Sequence, residues 1–345
     1  MISFFPDIYP DELVYSVLSR CYEKSGFLSY TNAAQEMFKN RFEHPKPEFL
    51  NAYTGQLKDR LTCTMTAKEL ICAHTMFPYF ARFLPCERRK DAMKAMQRQS
   101  PDIIDKLGYS VKRGLEKKYL RYCPLCAEND RAKYGEAYWH RKHQLFGVSI
   151  CPEHRVFLIE SPAEISSKSS PGFFSAEECI SELEPVECQN DLQIRLAEYV
   201  AEVFDAPMDM RNKISVGEFL NSKLAGTPYQ SVRGQMRNMA LLEHDFREYY
   251  AELPDNWFRD LAQLQQLFNG KRSNAVEVCM LGMFLGVETK ELTRMKLPKE
   301  DRTEEYDRRI AELRSQGLNY RQIAEIVGGS YDYVKAIGET QSRHR

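Results

Sequence analysis

Apolar residues recur along this chain mostly at the three-to-four spacing of a helix, with little of the alternation of a strand. Leu13, Val14, Val17, Leu18 and Cys21 make one such stripe. Pro10, Asp11 and Glu12 precede it. A proline needing no N–H and two acids at the positive end of the helix dipole predict that the helix opens there, and Gly26 predicts its end. A second short helix is predicted from Thr31 to Phe38, capped by Thr31 or Asn32, after which Pro45 and Pro47 break the chain. Thr64 or Thr66 caps a helix through Leu70, Ile71 and Met76. The run HTMFPYFARFLP turns at two prolines and gathers aromatic side chains. Glu87 to Gln99 reads as an amphipathic helix bearing Arg88, Arg89, Lys90, Lys94 and Arg98, either a solvated face or a phosphate-contacting one.

Farther along, SPAEISSKSSPGFFS reads as a connector. Helical spacing returns at Asp191 to Val203, then at Val216 to Leu224, Val232 to Leu242 (bearing Arg233 and Arg237), Asn256 to Phe268, and Val276 to Leu285. Lys271 and Arg272 stand in a turn ahead of this last helix, where they could hold a phosphate or be a plain basic turn. The final stretch, EEYDRRIAELRSQGLNYRQIAEIVGGSYDYVKAIGE, predicts a helix through Ile310 and Leu313 ending at Gly317. A second helix, Tyr320 to Val327, is capped by Asn319, and a third begins after Gly328-Gly329 with Ser330 as its cap. That is a helix-turn-helix layout, with Tyr320, Arg321, Ser330, Tyr331, Asp332, Tyr333 and Lys335 as candidates to face a major groove. A three-helix unit that binds nothing would read the same way. Eight basic residues against eight acidic ones over 301–345 weaken the DNA reading.

The most specific chemistry lies in RYCPLCAENDRAKYGEAYWHRKHQLFGVSICPEHRVFLIE. Cys123 and Cys126, then Cys151 and His154, form two x-x-spaced pairs, and a two-residue spacer lets both side chains of a turn converge on one metal. Pro124 and Pro152 favour turns after the first ligand of each pair. Four protein ligands fill a tetrahedron, so the expectation is one structural Zn2+ rather than a catalytic one. His140 and His143 could compete as ligands or serve in packing. A zinc hydrolase would need an open metal position and a base such as Glu136 or Glu153, which a complete ligand set disfavours.

Charge and composition narrow this further. With 345 residues, 43% hydrophobic and 12% aromatic, the chain can fill two or three cores. A net charge of −1 announces no global attraction to nucleic acid, so any such surface is local. Ser110 to Arg155 is the most basic stretch, with ten Lys/Arg against five Asp/Glu. The first residues lack a signal peptide's basic start and apolar core, and no apolar run is long enough to span a membrane. Seven of the ten cysteines lie outside the metal pairs. The expected setting is a reducing cytoplasm. The domain reading is a helical segment 1–106, a zinc finger 107–165, a connector and helix 166–205, a second helical block 206–298, and a helix-turn-helix 299–345. The fold class is mainly α.

FFPDIYPDELVYSVLSR, HTMFPYFARFLP and RYCPLCAENDRAKYGEAYWHRKHQLFGVSICPEHRVFL together resemble the TnsD/TniQ family of transposon target-site selectors, and its TnsD branch in particular. The resemblance covers nearly the whole chain. It implies a non-enzymatic adaptor that binds double-stranded DNA at an attachment site and recruits the TnsC AAA+ ATPase, which brings in the transposase. The family's alternative is an adaptor joined to an RNA-guided CRISPR effector complex. The zinc ligands Cys123, Cys126, Cys151 and His154 carry over residue by residue. CRISPR-linked members often hold a second cysteine cluster, but Cys179 and Cys188 here have no x-x partners. TnsD proteins usually extend well beyond this length, which implies a shortened chain.

Overall fold

A computed structural model describes residues 2, 4–108, 119–164, 172–230, 237–253, 261–269, 274–298, 302–327 and 331–342. The protein is mainly helical. The chain opens with α1 (Val14–Lys24), α2 (Tyr30–Met37), α3 (Gly55–Leu61), α4 (Ala67–His74), α5 (Phe77–Ala81), α6 (Cys86–Arg98) and α7 (Ile103–Leu107). Strand β1 (Tyr119–Tyr122), α8 (Pro124–Tyr134), a 3-10 turn at Lys142–Gln144 and strand β2 (Ile159–Glu164) follow. Then come α9 (Ala176–Cys179), α10 (Asp191–Asp205), α11 (Val216–Lys223), α12 (Met239–Tyr249), α13 (Leu261–Phe268), α14 (Ala275–Phe284) and α15 (Thr289–Arg294). The last three are α16 (Arg302–Ser315), α17 (Tyr320–Val327) and α18 (Tyr331–Ser342).

The first helix starts four residues later than Pro10. The N–H of Leu13 donates to the Trp139 carbonyl at 3.0 Å and the N–H of Arg141 donates to the Asp11 carbonyl at 2.8 Å. Glu12 thus lies in a bridge with His140, and Asp11 adopts a positive φ of 57°. Asp11 and Glu12 therefore do not cap a helix; they tie the N-terminal segment to the finger. Ser29, not Thr31 or Asn32, caps α2. Thr66 caps α4 in a capping box with Glu69, as one of the two threonines predicted there should. Two further stretches that read as connection or turn contain regular structure among the described residues. HTMFPYFARFLP contains α5, and SPAEISSKSSPGFFS begins as the end of β2, whose Glu160 and Ile159 pair with Arg121 and Tyr122. Of the helix predicted at Val232 to Leu242, residues 232–236 lie outside the described residues, Arg237 is bridged to Gln230, and α12 begins at Met239, capped by Asn238. Residues 254–260, which include the start of the helix predicted at Asn256, lie outside the described residues.

One continuous hydrophobic core runs from Ile2 through the finger residues Trp139, Leu145 and Ile150 to Val276, Leu281 and Met295. Arginines stitch it together. Arg82, buried after α5, donates to the carbonyls of Phe204, Ala206 and Pro207 at the C-terminal end of α10, where a cation meets the negative pole of the helix. Burial pulls its guanidinium down to about 10. Arg89 of α6 donates to the carbonyls of Arg82, Leu84 and Asn212. This arginine points inward, so it is not one of the charges available to a phosphate. On the same helix Lys90 and Lys94 pair with Glu87 and Asp91 at the surface. A separate core of Ile310, Leu313, Ile323, Val327 and Val334 holds α16, α17 and α18 to one another.

Candidate metal centre and nucleic-acid surface

The antiparallel pair β1 and β2 brings the two cysteine knuckles to one end of a short ribbon. Cys123 leaves β1 and caps α8, its sulfur accepting the Cys126 N–H at 3.5 Å. Pro124 occupies the first turn of α8, where no N–H is missed. The second knuckle is a tight turn: the Arg155 N–H donates to the Cys151 carbonyl, and the Cys151 N–H to the Val156 carbonyl, each at 2.8 Å. Arg155 closes that turn with φ of 58°.

The four side chains converge. One ligand atom from each of Cys123, Cys126, Cys151 and His154 lies within 4.8 Å of the others. With metal–sulfur bonds of about 2.3 Å, the edges of a tetrahedron are about 3.5 to 3.8 Å. The Cys126–Cys151 sulfur separation is 3.7 Å, and His154 Nδ1 stands 3.6 Å from Cys123, 3.2 Å from Cys126 and 3.6 Å from Cys151. The cysteines are buried and His154 is half-buried. Such a site can hold one metal ion, and the three sulfurs and one imidazole nitrogen suit a soft or borderline cation. Without a cation, three thiols this close cannot all ionise. The neighbouring Cys123 and Cys151 sulfurs, together with burial, hold the Cys126 thiol far above its usual range. The Cys151 sulfur, accepting from Cys123 and Cys126, is held low.

Around this cluster, the Asn129 amide of α8 stands 3.2 Å from His154 Nε2 and steadies the ring from behind. His143 approaches Cys151 Sγ at 3.8 Å through Nε2 but is not one of the four converging residues. His140 turns away: its Nε2 lies 2.8 Å from Asp130, and it stacks on Tyr138. Burial pulls its imidazole down, but Asp130 and Asp11 pull it up further. Glu136 is committed to Arg20 at 3.0 Å, Lys24 at 2.5 Å and Tyr9 at 3.1 Å, and Glu153 reaches Lys142 at 3.3 Å. The sequence pattern did not single out Asn129. Its place three residues after Cys126, on the same face of α8, is the signal that could have found it.

The candidate DNA-contacting residues fall into three groups. On α17 and α18, Arg321, Tyr331, Asp332 and Lys335 are exposed, with the Arg321 guanidinium 6.0 Å above the Tyr331 ring. Tyr320 is half-buried under Arg314, 4.4 Å away, and lies against Gly338, so it serves packing first. Arg237 is exposed, stands just before the Asn238 cap of α12, and stacks on Phe268 at 4.9 Å. Arg233, Lys271, Arg272 and Ser330, and the side chain of Tyr333, lie outside the described residues. Asn319 accepts the N–H groups of Arg321 and Gln322, which sets the start of α17 as the sequence predicted. Among the described residues, no helix is long and apolar enough to cross a membrane.

Residues 3–158 match the family described as TniQ. Over 206 residues the chain is 30% identical to the transposon Tn7 transposition protein TnsD of Escherichia coli. That match covers 59% of this chain and 40% of the relative, so the chain spans less than half of that protein's length.

Proposed function

We propose that this chain, similar to TniQ over residues 3–158 and to TnsD, is a TnsD/TniQ-type protein that selects target sites for a transposon, binding duplex DNA at an attachment site and recruiting a TnsC-type AAA+ ATPase. The TniQ match across residues 3–158 carries this reading. It spans both the N-terminal helices and the metal cluster, whose flanking residues share one core. The metal is zinc in a structural role: four protein donors leave no site for a reacting water. The knuckle that bears two of them is pinned to the body, Arg155 pairing with Glu198 of α10 at 2.9 Å. No step of chemistry is assigned to the chain. The terminal unit acts as a helix-turn-helix, with Arg321, Tyr331, Asp332 and Lys335 on the exposed side of α17 and α18 reading the groove.

The test is a gel-shift titration with the attachment-site duplex against a scrambled duplex, at two salt concentrations. Replacement of Arg321, Tyr331 and Lys335 by Ala is expected to erase the preference for the site, at about 1–3 kcal/mol for each side chain that reads a base well. Unchanged preference would remove these helices from the reading surface. Stable co-purification with an RNA-guided effector, together with no affinity for duplex alone, would replace direct DNA reading by the CRISPR-linked role.

A further inference from the structure

The loop between α2 and α3 is built rather than slack. Its neck is closed by an antiparallel bridge between Phe38 and Tyr53 and by the Lys39 N–H donating to the Ala52 carbonyl at 2.8 Å. Inside it, Asn51 is 2% exposed and satisfies three groups of the loop. Its Oδ1 accepts the Lys46 N–H at 2.9 Å, and its Nδ2 donates to the Glu43 carboxylate at 2.9 Å and to the His44 carbonyl at 2.7 Å. Tyr30 donates to the Glu43 carbonyl, and Asn40 Oδ1 accepts the Phe42 N–H at 3.1 Å.

What this frame holds out is basic and aromatic. Lys39, Arg41 and His44 are exposed and Lys46 is half-buried. Phe42 is 63% exposed, and the Arg41 guanidinium lies 4.8 Å over its ring. Many other surface cations of the chain sit beside a carboxylate: Lys90 on Glu87, Lys94 on Asp91, Lys223 on Glu291, Arg247 on Glu243, Arg309 on Glu312. Lys39, Arg41 and Lys46 have no such partner among the described residues. Three unneutralised cations around an outward phenyl ring, on a loop braced from within, match a polyanion that also offers an apolar edge. Duplex DNA has both, in its phosphates and in the sugar and base edges of its grooves.

We propose that this loop is a second DNA-binding element, in which Lys39, Arg41 and Lys46 engage phosphates and Phe42 packs against a groove edge. It rests on the reading of the chain as a duplex binder, and it assigns the loop sequence-independent affinity while α17 and α18 supply preference. The experiment compares the intact protein with a triple variant, Lys39→Ala, Arg41→Ala and Lys46→Ala, and separately with Phe42→Ala, on target and scrambled duplexes across a salt series. Removing three phosphate-binding cations should flatten the slope of log K against log salt by about 2.7 and weaken both duplexes alike, leaving their ratio unchanged. Phe42→Ala should weaken binding without changing the slope. Lys39, Arg41 and Phe42 are exposed and Lys46 is half-buried on a frame held by Asn51, so the melting temperature should move little, and a variant that melts normally is a valid readout. If the intact protein binds no duplex, the family-based reading fails. If it binds and the triple variant keeps the same slope, the loop proposal fails while that reading stands. A variant that keeps DNA binding but no longer recruits the ATPase assigns the loop to a protein partner and equally overturns the proposal.

Discussion

Arg20 shows how much one residue can hold in this protein. Its guanidinium is 2% exposed and meets Glu12 and Glu136, each at 3.0 Å, with Tyr9 stacked 3.9 Å beneath it. Arg20→Met would leave the buried Glu12 carboxylate without its cation while Glu136 keeps Lys24, and the expected loss of stability is about 3–5 kcal/mol in urea unfolding. The two acids respond to pH in opposite senses. Burial pushes the Glu12 carboxyl up more than Arg20 pulls it down, so its contribution is fully present below its unfolded pKa and is lost as pH rises through the raised value. Glu136 is also pushed up by burial, but Lys24 and Arg20 pull it below the usual carboxylate range. Its contribution is present above an unfolded pKa of about 4.3 and is lost as pH falls through the lowered folded value. Glu136→Gln should therefore lower stability at pH 7 and flatten the acid side of a stability-against-pH curve. An acid limb as steep as that of the parent protein would show that Glu136 is not its source. At the metal cluster, Asn129→Ala should loosen the ion by about 10–100-fold by removing the support behind His154, read by competition with a chelator. Cys151→Ser should abolish stoichiometric metal and lower the main melting transition, which replacing the exposed Cys63 thiol would not do.

At the scale of elements, helices with a cap or a clean apolar stripe were legible from sequence. α4 shows its Thr66–Glu69 capping box, α10 its Leu196, Val200 and Val203 stripe, and α17 its Asn319 cap. The metal cluster was legible for a different reason, because x-x spacing is local and its chemistry is narrow. What could not be read were boundaries set by distant partners. Nothing near Pro10 announces that Asp11 and Leu13 will spend their backbone bonds on Arg141 and Trp139, so the helix start was misplaced. Ser161 and Pro162 look like a connector until β1 pairs with the strand that holds them. α3, entered at Gly55, and α15, only six residues long, lack the periodicity that identifies a helix. One long-range approach of this kind is directly testable. Gly147 holds φ of 76°, and a Cβ there would lie 2.6 Å from Val276 Cγ2 on α14. Gly147→Ala should destabilise by about 1–3 kcal/mol, the range of an overpacked core site. Adding Val276→Ala should relieve part of the clash but none of the backbone strain, so the double variant should be more stable than the sum of the two single losses implies.

At the scale of the molecule, the decisive feature is that the hydrophobic interior is divided unevenly. The N-terminal helices, the residues flanking the metal site such as Tyr122, Trp139 and Ile150, and the helices through α15 share one core, Ile310, Leu313, Ile323, Val327 and Val334 form another, and Cys123, Cys126, Cys151 and Val156 make a small cluster of their own. That last cluster is only a few side chains wide, and the rest of the metal-bearing segment packs elsewhere. Here Trp139 is wholly buried against the body, and its indole N–H donates to the Phe174 carbonyl at 2.8 Å. Damage should therefore spread within each core and stop between them. Ile323→Asp places a charge at a fully buried position of the smaller core and should unfold α16 to α18 by disrupting their packing. The expected protein keeps its metal content and the main melting transition while losing the preference for the target duplex. It also keeps the salt-dependent affinity proposed for the loop carrying Lys39, Arg41 and Lys46. Calorimetry, metal analysis and the two-duplex titration on the same sample read all three. If the substitution lowered the main transition or released the metal, the two cores would be thermodynamically one, and assigning preference and affinity to different ends of the chain would fail with them.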